Sequence, residues 1–468
     1  MQKFLSGYQL SDPTWLYLSF VLILAVYFKF SRIWSLRNID LLLLLAISPG
    51  VLMLRSGEPV LESRGTYWLF AASGLGLLRV LLDGLFVRRP RLEQNMNVAG
   101  MSFLCAATVV FLTTKLLTDP LQDETVRALT RAGDQRPTTV AVEVTPDSAV
   151  TDSAASAKEL PLTEKAETPP ASGPTTALVK KAVDEISKAV VSGGPQSDHR
   201  LGEVETYTVR GIAILSHLAV IVGLTLVGRQ IFGDPDLGFA MSSLYILMPC
   251  TAYDLGSVIQ VLPAALVVWA IFFYRSPFAS GSLLGLASGM VFFPVFLLPL
   301  WGWFYGRRGG GRFACAVLLT TGLVVGVLAI LTHSSRDLVE NTLGYVRWTS
   351  LQIWEEPLGT SFWADLGPAY RLPVLVSYII MLFVLTFWPR QKSLAQLIPQ
   401  TTAIVLGAQF WYPQRGGVYV LWYLPLLLMV VFRPMMTNHF APAIKPLAFF
   451  GRGRRIESAA DPAETSRV

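Results

Sequence analysis

Charge is what this chain has least of. Only 15% of its 468 residues are Asp, Glu, Lys or Arg, whereas hydrophobic residues make up 52% and mean hydropathy is +0.49. A soluble domain carries about 25% charged residues, so a surface wholly in water is excluded. Cysteine is scarce as well. Cys105, Cys250 and Cys315 lie far apart, in or beside apolar runs, which excludes a disulfide framework and points to buried free thiols. The four histidines, His199, His217, His333 and His439, have no metal-ligand spacing. Ten-residue alternating segments of the kind that build transmembrane barrels are also missing.

Long apolar runs are what the chain has instead. They fall near 14–30, 38–54, 66–86, 97–118, 208–230, 237–250, 258–274, 281–306, 313–332, 370–388, 395–411 and 417–432. Several reach the roughly 20 residues that a helix needs to cross hydrocarbon, and a helix satisfies its own backbone there. The expected fold is all-α and polytopic. The first run has a polar stretch before it and no small-residue cleavage site after it, so it reads as a retained span.

The formal charge of +6 is not spread as a nucleic-acid surface would have it. Basic residues sit at the ends of the apolar runs: Lys29, Arg32 and Arg37; Arg88, Arg89 and Arg91; Arg307, Arg308 and Arg312; Arg390 and Lys392; and Lys445, Arg452, Arg454 and Arg455 in the tail. Placing all of them in the cytoplasm, as positive-inside bias requires, puts the N-terminus outside and the C-terminus inside. It also demands an odd number of crossings, about thirteen. The 281–306 run supplies the extra one, because Pro294 near its middle breaks it into two short helices meeting at the outer face. Localisation follows as a multi-pass cell (inner) membrane protein.

Four regions result. Residues 1–118 form a four-helix unit, 119–207 an extracytoplasmic tether, 208–432 a larger transmembrane unit, and 433–468 a basic cytoplasmic tail. The tether is rich in Ala, Thr, Pro and Ser, a composition that favours disorder. Within it TALVKKAVDEISKAVV (176–191) has the period of a short amphipathic helix. A partner-binding motif for envelope-assembly proteins is the other reading of the tether. The outer loop at 333–369 mixes Trp348, Trp354 and Trp363 with carboxylates. It suits either interfacial helices or a platform for sugars and lipid-linked substrates.

The stretch from Leu244 to Arg308 places Pro249, Gly256 and Gln260 at one helix junction, then Gly281, Leu284, Gly285, Leu286, Ala287, Pro294, Leu298 and Pro299. Near the end, WYPQRGGVYVLWYLPLLLMV (411–430) holds Tyr419, Trp422 and Pro425. These segments resemble integral membrane glycosyltransferases of the GT-C type, over roughly 205–432, about half of the chain. The resemblance implies a GT-C-like fold, a polyprenyl-phosphate sugar donor in the bilayer and transfer to an envelope acceptor on the outer face. Many such enzymes carry a lysine where this chain has Phe292 and Phe293, and a catalytic carboxylate in a long first outer loop. Here that loop, 55–65, is short and supplies only Glu58 and Glu62, while Asp119, Asp123 and Glu124 at the start of the tether are the alternative.

Inverting sugar transfer needs a base for the acceptor hydroxyl and positive charge, or a carboxylate-held metal, for the departing phosphate. No cofactor is evident, and a divalent metal is the one candidate. Asp254, next to Tyr253 in the turn PCTAYDLGS, is an acid at an apolar junction, costly unless paired; alternatively it caps the helix that follows. Candidate catalytic residues are therefore Asp254, Glu58, Glu62 and Asp119. Candidate substrate contacts are Arg415, Gln414, Tyr253, Gln260, Arg347 and Trp348, with Arg415 read either as a phosphate ligand or as an interfacial snorkelling cation. A transporter is a weaker alternative, since the central helices carry few ionisable groups. A non-catalytic membrane component, a degenerate relative of these enzymes, is the other.

Overall fold

The computed structural model describes residues 11–85, 94–121, 123–130, 173–191, 197–332, 338–339, 342, 362–363, 368–412, 419–436 and 439–442. They are mostly helical, with no strand among them. The elements are α1 (Asp12–Tyr27), α2 (Leu36–Leu45), α3 (Ile47–Leu54), α4 (Pro59–Leu81), α5 (Val98–Thr118), α6 (Asp123–Leu129), α7 (Pro174–Val190), α8 (Ser197–Leu226), α9 (Pro235–Leu247) and α10 (Pro249–Tyr253). There follow α11 (Val258–Phe272), α12 (Pro277–Ser288), α13 (Leu297–Leu331), α14 (Arg371–Phe387), α15 (Leu394–Trp411) and α16 (Val420–Phe432). Five helical stretches are long and apolar enough to cross a membrane: Leu36–Leu54, Pro59–Leu85, Val98–Thr118, Arg200–Ile231 and Gly309–Leu331.

Local chemistry marks where helices begin. The hydroxyl of Ser11 accepts from the backbone of Thr14, Asn97 accepts from Gly100, and Ser276 accepts from Ala279. Ser393 and Gln396 form a reciprocal capping box. Proline in the first turn of α1, α4, α9 and α12 adds a preset φ where no donor is lost. The 281–306 run is broken as its proline implies. Helix α12 ends at Ser288, a 3₁₀ turn covers Phe293–Phe296, and α13 then starts. A second break inside α13 falls at Gly306, whose φ of 60° only glycine adopts readily.

The turns gather at two opposite ends. At one, Arg55 meets Asp12, Arg210 meets the backbone of Leu117 and Asp119, Gly173 meets Met290, Lys181 meets Leu331, and Trp363 meets Phe410. At the other, Asn95 meets Val26, Arg37 meets Tyr27, Arg79 meets Asp40, Tyr305 meets Tyr274, and Lys392 caps α14 at Leu385 and Trp388. The described parts of the loops expected outside share the first end, and the described basic turns share the second.

A chain of four charges runs through the second end. Arg79 grips Asp40 with two hydrogen bonds of 2.6 and 2.8 Å and reaches Asp83 at 3.4 Å, and Asp83 pairs with Arg433 at 2.7 Å. Arg433 also donates to the carbonyl of Ala395. All four residues are buried or nearly so: the side chains of Asp83 and Arg433 are 2% and 4% exposed. The chain joins α2, α4 and the segment after α16, so the N-terminal unit is welded to the C-terminal one. Tyr27 Oη donating to the carbonyl of Ala240, and the Ser73–Tyr423 hydroxyl pair at 3.1 Å, lie along the same seam.

Two expectations need correction. Part of the tether is folded: α6, α7 and the start of α8 lie within 119–207, and α7 buries Thr176, Val183 and Ser187 against the body. This helix is the one that the amphipathic period of 176–191 predicts, and its apolar stripe is the side that docks. Residues 131–172 of the tether lie outside the described residues. Cys315, expected to be buried, is exposed, while Cys105 and Cys250 are buried. Cys315 sits on the 309–331 stretch, which buries only 17% of its most apolar window inside the protein. An apolar span can turn most of its surface to lipid.

Helix α8 ends in a π turn (Val227–Ile231) that brings Gly228 against α9. A Cβ on Gly228 would stand 2.2 Å from the Cα of Gly238, backbone against backbone. We expect Gly228→Ala to force α8 and α9 apart and lower the melting temperature of purified protein in detergent by several degrees. Gly211→Ala, at a position with open space in the same helix, leaves it unchanged.

Candidate functional site

The first end contains a compact group of charges drawn from four helix termini. Asp12 begins α1, Arg55 follows α3, Lys115 lies in the last turn of α5 with Asp119 just beyond it, and Tyr253 and Asp254 close α10. Helix C-termini leave carbonyls without partners, and cations are drawn to them. Arg55 accordingly donates to the carbonyl of Tyr253 at 2.6 Å, and Arg210 donates to those of Leu117 and Asp119 at 2.8 and 2.7 Å.

The carboxylates then close around these cations. Asp12 accepts from Arg55 and from Lys115, each at 3.2 Å; Asp254 lies 3.6 Å from Arg55, and Asp119 lies 3.9 Å from Lys115. Tyr253 Oη donates to the backbone of Asp12 at 2.8 Å, and its ring is overlaid by Arg55 and Lys115 at 5.9 and 5.8 Å. Burial raises the Asp119 carboxyl above the ordinary carboxylate range, and nearby Asp12 adds to this, while Lys115, Arg55 and Arg210 oppose it. Burial likewise raises the Tyr253 phenol, keeping it a neutral donor.

Beneath this group lies a small, partly open apolar cleft between α5, α8, α9 and α10. Its lining includes Leu112, Leu116, Ile214, His217, Tyr245 and Leu255. Leu116 and Leu255 adjoin Lys115 and Asp254 in the chain, so the charges stand at its rim. His217 has both ring nitrogens engaged, Nε2 with the carbonyl of Leu255 at 3.1 Å and Nδ1 with the hydroxyl of Tyr245 at 3.0 Å. A carbonyl can only accept, so Nε2 carries the hydrogen and Nδ1 receives that of the tyrosine.

Three residues marked from sequence therefore meet here: Asp254, Asp119 and Tyr253. Asp254 does not act as a cap, since Ser257 is the residue preceding α11. Glu58 and Glu62, at the start of α4, make no side-chain bond to the group. Gln260 is buried in the first turn of α11 with Oε1 unpartnered, and is not part of it. Arg415, Gln414, Arg347 and Trp348 lie outside the described residues. Sequence reasoning passed over Asp12, Arg55 and Lys115. Their signal was position alone, each a charge at the end of an apolar run.

Because the folded Asp119 carboxyl titrates above its unfolded value, the wild type gains stability as pH falls through that titration, and Asp119→Asn cannot. Melting curves from neutral to acid pH should show the variant level with wild type, or slightly above it, at neutral pH and falling behind on the acid side. Parallel curves would mean that Asp119 is not perturbed. No family model, curated protein or solved structure matches this chain.

Proposed function

We propose that this chain is a multi-pass membrane glycosyltransferase, moving a sugar from a polyprenyl-phosphate donor to an envelope acceptor. The observation that supports it is the meeting of Asp119 and Asp254 with Arg55 and Lys115 at the rim of an apolar cleft. An amphiphile with its apolar chain in the bilayer and an anionic head suits such a place. The phosphate draws Arg55 and Lys115 away from their carboxylates.

That exchange frees a base. Asp254, released from Arg55, takes the proton of the acceptor hydroxyl as its oxygen attacks the anomeric carbon. The carbon–oxygen bond to phosphate breaks, and its electron pair leaves with the polyprenyl phosphate, held by the two cations. Asp119 gives up its contact with Lys115 to the phosphate in the same exchange. In this reading the first end faces out of the cytoplasm, because Lys29, Arg32, Arg275, Arg307, Arg390 and Lys392 gather at the second. Tether residues are then available to envelope partners.

A non-catalytic membrane component has one observation in its favour. The three carboxylates and three cations of the group balance, so nothing in it demands a ligand. Incubating purified protein with a panel of polyprenyl-phosphate sugars separates the two. The enzyme reading expects sugar transfer, lost by at least about 100-fold in Asp254→Asn with donor binding kept, and weaker donor binding in Lys115→Met. Binding without transfer favours the non-catalytic reading, and neither binding nor transfer across the panel contradicts both uses of the cleft.

A further inference from the structure

A second feature of the first end is aromatic. Where α12 breaks, Phe292 stacks on Tyr412 at 4.5 Å and stands 5.9 and 6.3 Å from the rings of Trp411 and Trp422. Phe293 lies 4.5 Å from Trp422, whose other neighbour, Tyr419, is stacked on it at 4.1 Å. Phe296 extends the group to Tyr378, 5.4 Å away, and Tyr378 returns to Trp411 at 5.9 Å. Four separate segments thus supply one continuous set of rings. Phe292 is only half-buried and opens the set to the surface.

Within this set three hydrogen-bonding groups lack partners. They are the indole N–H of Trp411, that of Trp422, and the hydroxyl of Tyr378. Their residues are 4%, 2% and 4% exposed. A buried donor left without an acceptor costs about 1–3 kcal/mol, and native interiors rarely leave such groups unpaired. Four other indoles of the bundle, those of Trp68, Trp269, Trp301 and Trp363, all donate, while that of Trp15 does not. Three unpaired donors in one aromatic set are therefore a departure that a ligand would resolve.

The chemistry of the set selects the ligand. It offers ring faces and neutral donors. The cation beside it, Arg371, already directs Nε to the carbonyl of Trp411. Among the described residues, a phosphate or carboxylate would be stripped of water with no cation there that is not already engaged. A hydrocarbon chain would cover the rings and leave all three donors unpaired. A pyranose or furanose ring does both jobs, laying its C–H face on an aromatic plane and offering hydroxyl oxygens to the N–H and O–H groups. We propose that the cage formed by Phe292, Phe296, Tyr378, Trp411, Tyr412 and Trp422 binds a neutral carbohydrate ring. The inference does not depend on catalysis at the charged group and holds equally for a non-catalytic protein.

The test uses the full-length chain in nanodiscs and saturation-transfer NMR with the methyl glycosides of mannose, glucose, galactose and arabinose. At least one of them should bind saturably, with its ring C–H protons showing the largest transfer. Trp411→Phe and Trp422→Phe each keep a ring and delete one N–H, and each should weaken that binding by about tenfold; Tyr378→Phe should act alike. Melting temperature confirms that the variants fold. Saturable binding that inorganic phosphate abolishes, binding unchanged in all three variants, or no saturable glycoside binding in the wild type would each overturn the proposal. Because no lipid-linked donor is present, failure here leaves the transfer experiment unaffected, and the reverse holds too.

Discussion

Hydrocarbon tolerates a charge only when its partner is already in place, and Asp40, Arg79, Asp83 and Arg433 satisfy that demand in a closed series. Two acids and two bases alternate, each cation held by at least one carboxylate oxygen within 2.8 Å. Removing a member takes a close partner from its neighbour, so the three segments that supply them must arrive together. That requirement joins α2 and α4 to the end of α16, and fixes which helix ends share the second face. The first face inherits its arrangement, since every helix anchored below has its other terminus above.

At the first face the same physics produces a different result. Helix C-termini expose carbonyls, Arg55 and Arg210 cap them, and the carboxylates of Asp12, Asp119 and Asp254 follow the cations. The group is more exposed than the one below: Arg55 is 38% exposed and Asp12 29%, against 2% and 4% for the Asp83–Arg433 pair. Buried pairs with good geometry hold structure, whereas partly solvated ones exchange partners cheaply. That contrast makes the lower group structural and leaves the upper one able to change partners.

Much of this was legible in residues. Apolar length and charge scarcity specify a helical membrane protein, and Pro294 marks a break that the structure places between α12 and α13. Asp254 stood out because an acid at an apolar junction needs a partner. The partner itself, Arg55, is nearly 200 positions away, and no local pattern announces it. Asp40, Arg79 and Asp83 are charges inside apolar runs, and no local pattern links them. Only packing showed them to be one series. The unpartnered indoles of Trp411 and Trp422 were beyond sequence altogether, since hydrogen-bond satisfaction exists only once neighbours are known. At α7 the composition of the surrounding tether points to disorder, while the period of 176–191 announces the amphipathic helix that docks through a narrow stripe.

The claim that the lower ion series holds the two units together is tested most directly by a double-mutant cycle on Asp83 and Arg433, read as unfolding free energy in mixed detergent. Asp83→Leu takes from Arg433 its carboxylate partner at 2.7 Å, and Arg433→Met takes from Asp83 the nearer of its two cations; each should destabilise by about 3–5 kcal/mol. The double variant should recover most of that loss, because the remaining partners, Asp40 and Arg79, stay paired. Additive losses, or single variants that unfold like wild type, would show that the pair is incidental and that something else welds the bundle.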